Sequence, residues 1–272
     1  MRAFTLIAGL WALLLAVSAS AGGLIFGVQN FNTDPRMVEL QMRGVASYLS
    51  RQLGQPVVVE AAKNPKLFMQ GVKSHRYDFV YAPPNVTIKA EKIGGYQPVA
   101  HIHGRIVGAF VALDKSGIKT PAQMKGMRLG MPVSTSLMGV LADAKMREMH
   151  IDPKTYFSKI EYFNGPDDIV YALKLGLVDV GVTAVRLYQG WVKQGVPVHA
   201  IVDTESSPHW TFAASPKLSP DLRAKLASAL IAGPKNPAMA QFLKASGFPL
   251  QIDPASAADY VALAHMMTEP QQ

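Results

Sequence analysis

The sequence has no cysteine among its 272 residues. Disulfides and thiolate metal sites are therefore excluded, and so is a bacterial lipoprotein anchor, which requires a cysteine after the signal segment. The chain also lacks internal repeats, low-complexity segments and any linker rich in proline, glycine or serine. We therefore expect compact lobes and not separate domains on a flexible tether.

The motifs that mark common enzymes are absent as well. The sequence contains no nucleophile elbow, no phosphate-binding P-loop, no pair of carboxylates at catalytic spacing and no strong metal cluster. His101 and His103 alternate on a predicted strand and can share one face, but no carboxylate or cysteine accompanies them. We expect neither an enzyme nor a bound metal or cofactor.

Negative charge is in deficit, because 27 Lys and Arg residues outnumber 19 Asp and Glu residues and give a net charge of +8. The basic residues are scattered, as at Lys63, Lys125 and Lys225, and most of them are expected to be solvated surface. They do not form the stripe with interleaved aromatics that is typical of nucleic-acid-binding proteins. An anionic small molecule or an acidic membrane surface is therefore a better partner for this charge than nucleic acid.

The first residues have the layout of a secretory signal. An apolar run over residues 3–17 follows Arg2, and small residues occupy positions 18–22, so we predict cleavage after Ala21. The alternative is a membrane anchor, which needs about 20 apolar residues, and this run is shorter. The sequence therefore predicts a periplasmic protein.

Strands and helices alternate along the rest of the chain, which indicates an α/β protein with mostly parallel sheets flanked by helices. The alternation occurs in two series, which predicts two lobes joined by two crossovers near residues 103–110 and 199–204. We assign residues 1–21 to the signal peptide, 22–105 and 203–272 to lobe 1, and 106–202 to lobe 2. Ligands are expected beyond the carboxyl ends of the strands.

The most informative segment is Ser134-Thr135-Ser136, which follows a predicted strand and opens a predicted helix. The first backbone N–H groups of a helix have no intrahelical partner, and the helix dipole places partial positive charge there. An oxyanion can accept hydrogen bonds from those N–H groups and from the three hydroxyls together. An ordinary N-cap explains the same residues.

Several motifs occur in the order seen in a known family. They are Asp78 before Pro83-Pro84, Asp114-Lys115-Ser116-Gly117, Pro132-Val133-Ser134-Thr135-Ser136, Gly176-Leu177-Val178-Asp179 and Ser206-Ser207-Pro208. In this respect the chain resembles the periplasmic substrate-binding proteins of phosphate, phosphite and phosphonate ABC importers, which have the type II periplasmic binding fold. The resemblance covers nearly the whole chain after residue 21.

The resemblance implies a function and a partner. It implies that Ser134, Thr135 and Ser136 hold a small oxyanion in a cleft that closes by hinge bending at the two crossovers. It also implies an ABC permease in the inner membrane as the partner, and we expect a monomer. The alternative is a periplasmic sensor that presents its bound ligand to a membrane signalling protein.

Three departures from the family pattern bear on the ligand. Thr87 stands where the family usually has a tyrosine, and nearby Tyr81 is the candidate replacement. Pro166 stands where the family has a histidine and offers no side-chain donor or acceptor, which makes Asn164 or Asp167 a candidate for compensation. The carboxylates that grip the amine of an aminoalkylphosphonate are not evident. We therefore expect an anion other than 2-aminoethylphosphonate.

The remaining candidates lie at the loops where this fold places ligand contacts. Each also has an ordinary interpretation as a turn, core or surface residue. Asn30 and Phe31 follow the first strand, His103 and Arg105 lie at the first crossover, and Ser207 and His209 follow the second crossover.

Overall fold

The computed structural model describes residues 22–29 and 33–268. The predicted signal segment, Asn30 and Phe31 lie outside the described residues. The strands are β1 Leu24–Val28, β2 Val57–Ala61, β3 Phe79–Ala82, β4 Gln97–Ile102, β5 Arg105–Leu113, β6 Arg128–Pro132, β7 Lys159–Phe163, β8 Val180–Ala184, β9 Val198–Pro208, β10 Thr211–Ala214 and β11 Ile252–Pro254. The helices are α1 Pro35–Leu53, α2 Pro65–Lys73, α3 Pro84–Gly94, α4 Leu137–Glu148, α5 Pro153–Tyr156, α6 Pro166–Lys174, α7 Val185–Lys193, α8 Pro220–Ala232, α9 Pro237–Ala245 and α10 Val261–Thr268.

The strands form two sheets, each covered by helices, and this confirms the predicted two-lobed α/β architecture. The first sheet has the strand order β11-β4-β10-β3-β1-β2, and the second has the order β7-β6-β8-β5-β9. We call the first sheet and the helices on it the first lobe, and the second sheet with its helices the second lobe. Each sheet is buried on both faces by apolar clusters.

Both sheets are mixed, whereas the sequence predicted mostly parallel ones. β1 pairs in parallel with β2 and β3, and β6 pairs in parallel with β7 and β8. The other pairings are antiparallel, including β5 with β8 and β9, and β10 with β3 and β4. The reason is that β5 carries the chain into the second lobe while β9 and β10 carry it back in the opposite direction.

The two connections between the sheets are short. β4 ends at Ile102 and β5 begins at Arg105, within the predicted first crossover, whereas β9 ends at Pro208 and β10 begins at Thr211. The second connection therefore lies beyond the predicted residues 199–204, because β9 stays paired with β5 as far as the Arg105–Pro208 pair. The predicted lobe boundaries at residues 105 and 203 stay a proposal.

Helix ends follow ordinary capping chemistry, as α1 illustrates. The Asp34 carboxylate accepts a hydrogen bond from the Arg36 N–H at 2.9 Å, and Pro35 occupies the first helical position, where no N–H is needed. Gly54 ends the helix with a φ of 72°, a left-handed conformation that favours glycine. The capping aspartate, the proline and the glycine therefore determine where α1 begins and ends.

Two motif aspartates have equivalent structural roles at the amino ends of the sheets. The Asp179 carboxylate accepts from the Arg128 N–H, and it also accepts from Nε at 2.9 Å and Nη2 at 2.7 Å of the Arg128 guanidinium. The Asp78 carboxylate accepts from the Ile25 N–H at 2.7 Å. Each aspartate thus fixes the start of a neighbouring parallel strand, at the end of the sheet opposite to the one where ligands are expected.

The C-terminal helix connects the two lobes. Leu141 of α4 is buried with Leu137, Ile88 of α3, and Tyr260 and Leu263 at the end of the chain, which we call the interlobe cluster. Arg147 of α4 also donates to the Met266 carbonyl of α10 at 2.8 Å. The interlobe cluster therefore contains apolar side chains from both lobes. Among residues 22–29 and 33–268, no helix is both long and apolar enough to cross a membrane.

Candidate functional site

A cleft of about 810 Å³ lies between the two lobes. Its walls come from the segments that follow strands: Gln29 after β1, Pro83 after β3, Thr135 to Met138 after β6, Asn164 after β7 and Val185 after β8. These strands run parallel within each sheet, so their carboxyl ends meet at one edge. The cleft is therefore at the place that the α/β topology predicts for a ligand.

The amino end of α4 forms one wall of this cleft. The Ser136 hydroxyl caps the helix by accepting from the Gly139 N–H at 3.1 Å. A Cβ atom on Gly139 would lie 2.5 Å from the Val133 carbonyl oxygen, so only glycine lets the preceding turn pack this closely on the helix. The cap leaves the N–H groups of Leu137 and Met138, and the Ser136 O–H proton, for another acceptor. Capping and anion binding are thus compatible at this serine.

A second helix begins beside the same turn. Asn85, in the first turn of α3, donates from Nδ2 to the Thr135 carbonyl at 3.0 Å. Asn85 is fully buried, and its Oδ1 has no hydrogen-bond partner among the described residues. The positive ends of two helices, one from each lobe, therefore meet at the cleft.

Three basic side chains line the cleft, and no aspartate or glutamate does so in the described part of the chain. Lys89 comes from α3, Arg105 from the start of β5 and Arg186 from the first turn of α7. Arg105 is oriented by Ser206, since its Nε donates to the hydroxyl at 2.7 Å and its Nη2 to the carbonyl at 3.1 Å. None of the three forms an ion pair with a described carboxylate. The cleft is therefore electropositive.

The Arg186 side chain extends from the second lobe to Phe248 of the first lobe. Its guanidinium carbon lies 5.9 Å from the centre of the Phe248 ring. A Cβ on Gly247, which has a φ of 64°, would lie 2.9 Å from Arg186 Nη1. The glycine thus leaves room for the guanidinium, and the aromatic face attracts it.

His209 lies next to this arginine and is neutral. Burial, and then the positive charge of Arg186 and His101, lowers the pKa of His209 to about 4. Its Nδ1 accepts from the Trp210 N–H at 2.8 Å, and its ring meets the edge of Phe248 at 4.8 Å. A neutral imidazole with Nδ1 as acceptor carries its proton on Nε2, which is a hydrogen-bond donor.

Two cleft residues that sequence reasoning missed have unpaired polar atoms. Gln29 is 4% exposed and Thr183 is 1% exposed, and neither Gln29 Oε1 nor Thr183 Oγ1 has a hydrogen-bond partner among the described residues. A buried polar atom without a partner costs free energy unless a ligand or solvent satisfies it. Both residues end or follow strands at the carboxyl edge of a sheet, and this position was the only signal available in the sequence.

The structure brings five of the predicted site residues to the cleft: Thr135, Ser136, Arg105, Asn164 and His209. Ser134, in contrast, is exposed and is not among the lining residues.

Four other predicted residues lie away from the cleft lining. Tyr81 packs in the core against Trp210, Phe212 and Phe242, and burial raises its pKa. The buried Thr87 hydroxyl donates to the Pro83 carbonyl at 3.3 Å, and the buried Ser207 hydroxyl donates to the Pro208 carbonyl at 3.0 Å.

His103 Nδ1 lies 2.7 Å from Asp253 Oδ2, outside the cleft. The neighbouring His101 Nδ1 lies 2.7 Å from the Ile102 carbonyl oxygen, so this nitrogen has a different hydrogen-bond partner from that of His103. In the part of the chain that the structure describes, no three histidine, aspartate or glutamate side chains are grouped to hold a metal ion.

Two mixed sheets flanked by helices, with a cleft between the two lobes, are the fold of type II periplasmic binding proteins, and solved structures match this fold. One is PhnD1 from Prochlorococcus marinus in complex with methylphosphonate, with a TM-score of 0.74 and 14% identity over 89% of this chain and 96% of that one. A binding protein of a phosphonate ABC transporter from Pseudomonas aeruginosa has a TM-score of 0.70 and 15% identity over 90% and 85%. The aliphatic sulphonate-binding protein SsuA from Escherichia coli has a TM-score of 0.63 and 16% identity over 90% and 89%.

The family follows from the sequence. Residues 29–260 match the family described as ABC transporter, phosphonate, periplasmic substrate-binding protein, so this chain belongs to that family. Its members are periplasmic substrate-binding proteins of ABC transporters, which implies a small-molecule ligand and a membrane permease as partners. A search of curated proteins finds no match.

Proposed function

We propose that this protein captures a small oxyanion of the phosphonate, phosphite or phosphate type in the interlobe cleft and delivers it to an ABC permease. One observation carries the proposal. Lys89, Arg105 and Arg186 converge with the amino end of α4 on a cleft that no described carboxylate lines. An anion would neutralise charges that have no counter-ion among the residues that the structure describes.

Each lobe provides hydrogen-bond donors and positive charge for the ligand on its own wall of the cleft. Ser136, Thr135 and the free N–H groups of α4 belong to the second lobe, as does Arg186, whereas Gln29 and Lys89 belong to the first. A ligand held by both sets binds the closed arrangement more tightly than an open one. This difference in affinity drives closure by hinge bending at the two short connections.

The permease then has a means of recognising the loaded protein. The outer rims of the two lobes come together only when the cleft is closed, so the permease contacts a surface that the empty, open protein does not present. This step depends on closure and requires no chemistry on the ligand.

A calorimetric titration of the purified protein tests the proposal. The panel is phosphate, phosphite, methylphosphonate, sulfate and acetate, and the variants are Lys89→Gln and Arg186→Gln. Each variant removes one positive charge from the cleft and should weaken binding of the preferred anion about tenfold or more, since a charge-assisted hydrogen bond is worth about 1.5–3 kcal/mol.

The control is Lys225→Gln, which removes the same charge from an exposed position of α8 that is not among the lining residues of the cleft. Its affinity should stay within about twofold of the parent protein. Failure of every anion to bind would refute the proposal, and equal losses in the three variants would show that only overall charge matters.

A further inference from the structure

The cleft contains far more apolar surface than an inorganic oxyanion requires. Most of its lining residues are apolar and come from both lobes, with Met69 and Val86 on one side and Met138, Phe163, Val185 and Leu187 on the other. Phosphate and phosphite present mainly oxygens and have no apolar surface to place against these side chains. The lining therefore fits a ligand that also has a hydrocarbon part.

The volume of the cleft also favours a ligand with a hydrocarbon part. Its volume of about 810 Å³ is within the range of about 300–1,000 Å³ that proteins use for organic ligands of several rings or chains. The α4 end and its hydroxyls provide donors for a single tetrahedral group. The rest of the volume is available to a substituent of that group.

Part of the apolar wall is aromatic and held in place. The Trp210 ring packs on Tyr81 with 5.0 Å between centroids, and Phe248 is fixed between His209 and Arg186. A Cβ on Gly130 would lie 3.2 Å from the Phe163 ring, so this ring lies close over the backbone of β6. Rings that are already ordered lose little entropy when a planar or apolar group packs on them.

The charges of the cleft act against a second, positive group on the ligand. An ammonium group would face Lys89, Arg105 and Arg186 and would find no described carboxylate in the lining to accept from it. Burying a charge without a partner is costly, and the like charges repel it. An uncharged substituent avoids both costs.

We propose, on the basis of the function proposed above, that the cleft selects organic oxyanions whose tetrahedral anionic group is joined to a bulky, uncharged apolar or aromatic substituent, and that it discriminates against amine-bearing ones. The anionic group lies at the α4 end with the basic side chains. The substituent packs on Phe163, Trp210 and the aliphatic side chains around them.

Two matched pairs of ligands test this by calorimetry on the intact protein at one pH and ionic strength. Methylphosphonate against phenylphosphonate changes apolar bulk, and phenylphosphonate should bind about tenfold tighter or more. Ethylphosphonate against 2-aminoethylphosphonate adds only an amine, and the amine should weaken binding about tenfold or more. Equal affinities within both pairs, or a preference for the amine, would overturn the inference while phosphonate binding itself survived. No binding of any of the four would overturn the proposed function as well.

Two variants locate the substituent. Phe163→Ala should reduce the advantage of phenylphosphonate over methylphosphonate several-fold, and Leu187→Ala, on the first turn of α7, provides the same test if the strand variant does not fold.

Gln189→Glu tests the selectivity against amines, because it places a carboxylate of nearly the same shape in the lining. It should narrow the gap between the ethyl and aminoethyl ligands, and an unchanged gap would show that charge in the cleft does not set this selectivity.

Discussion

The side-chain amide of Asn85 and the backbone carbonyl of Thr135 form a hydrogen bond across the two lobes, with 3.0 Å between Nδ2 and the oxygen. Asn85 is in the first turn of α3, and Thr135 lies in the turn before α4. The bond therefore joins the positive ends of two helices that belong to different sheets. It aligns both helices on the place where we propose that the anion binds.

We predict that Asn85→Asp weakens oxyanion binding about tenfold or more, because the carboxylate cannot donate to Thr135 and puts negative charge beside the bound anion. A buried carboxylate costs stability, which the dipole at the first turn of α3 offsets only in part, so a thermal melt must show that the variant is folded before its affinity is compared. Calorimetric titration of the preferred anion measures the loss.

The control is Asn85→Leu, which removes the same hydrogen bond without adding charge and should cost less affinity than the aspartate. Equal losses in the two variants would mean that no anion binds near this residue.

Acid should destabilise the protein through His209. Its pKa is about 4 in the folded protein against 6.5 for a free histidine, so the unfolded chain takes up a proton first as the pH falls. The contribution of His209 to the free energy of unfolding is therefore complete above about pH 6.5. It is lost as the pH falls from about 6.5 to about 4. Between pH 7.5 and pH 5 the free energy of unfolding should fall by about 2 kcal/mol from this residue alone.

Urea unfolding at the two pH values, compared with His209→Asn, isolates this contribution from the other histidines. The asparagine keeps an acceptor for the Trp210 N–H but does not titrate. The same pH dependence in both proteins would show that His209 is not the group responsible.

Tyr81→Phe separates a core role from a ligand role. The hydroxyl is buried among aromatic rings and has no hydrogen-bond partner in the described residues. Removing it should leave the free energy of unfolding unchanged or raise it by up to about 1 kcal/mol, because no hydrogen bond is lost. Anion affinity should change by less than about twofold. A tenfold loss of affinity would instead support the sequence-based prediction that Tyr81 contacts the ligand.

Much of the fold was predictable because strands and helices have different hydrophobic periods. For example, residues 24–28 form an apolar run in the sequence and are β1, and apolar residues recur at helical spacing from Met37 to Leu53 within α1. Strand direction was not predictable in this way, because periodicity is the same in parallel and antiparallel strands. The three-residue β11 and the four-residue α5 were missed, since so few residues do not repeat either hydrophobic period often enough to be recognised.

The site was predictable only in part. The Ser-Thr-Ser turn carries a strong local signal, and two of its three residues line the cleft. The unpaired atoms of Gln29 and Thr183 could not be found, because whether a buried polar atom has a partner depends on residues distant in sequence. Tyr81 was a candidate because Thr87 stands where the family resemblance implies a tyrosine, and the sequence alone does not show which way the Tyr81 side chain points. All four residues of β3 are buried, so no polar alternation shows which side chains face the cleft.

The interlobe cluster gives the last prediction. Leu141 is fully buried between α4 and the C-terminal helix, so Leu141→Ala should lower the free energy of unfolding by about 2–5 kcal/mol. Val261→Ala, at a position of α10 that is 53% exposed, is the matched control and should cost less than about 0.5 kcal/mol.

Because the cluster joins side chains from both lobes, its loss should also let the lobes separate. Small-angle scattering of the Leu141→Ala protein without ligand should give a larger radius of gyration than the parent protein, and a saturating anion should reduce the difference. A destabilised variant with an unchanged radius of gyration would show that the interlobe cluster contributes to the core of one lobe and does not hold the two lobes together.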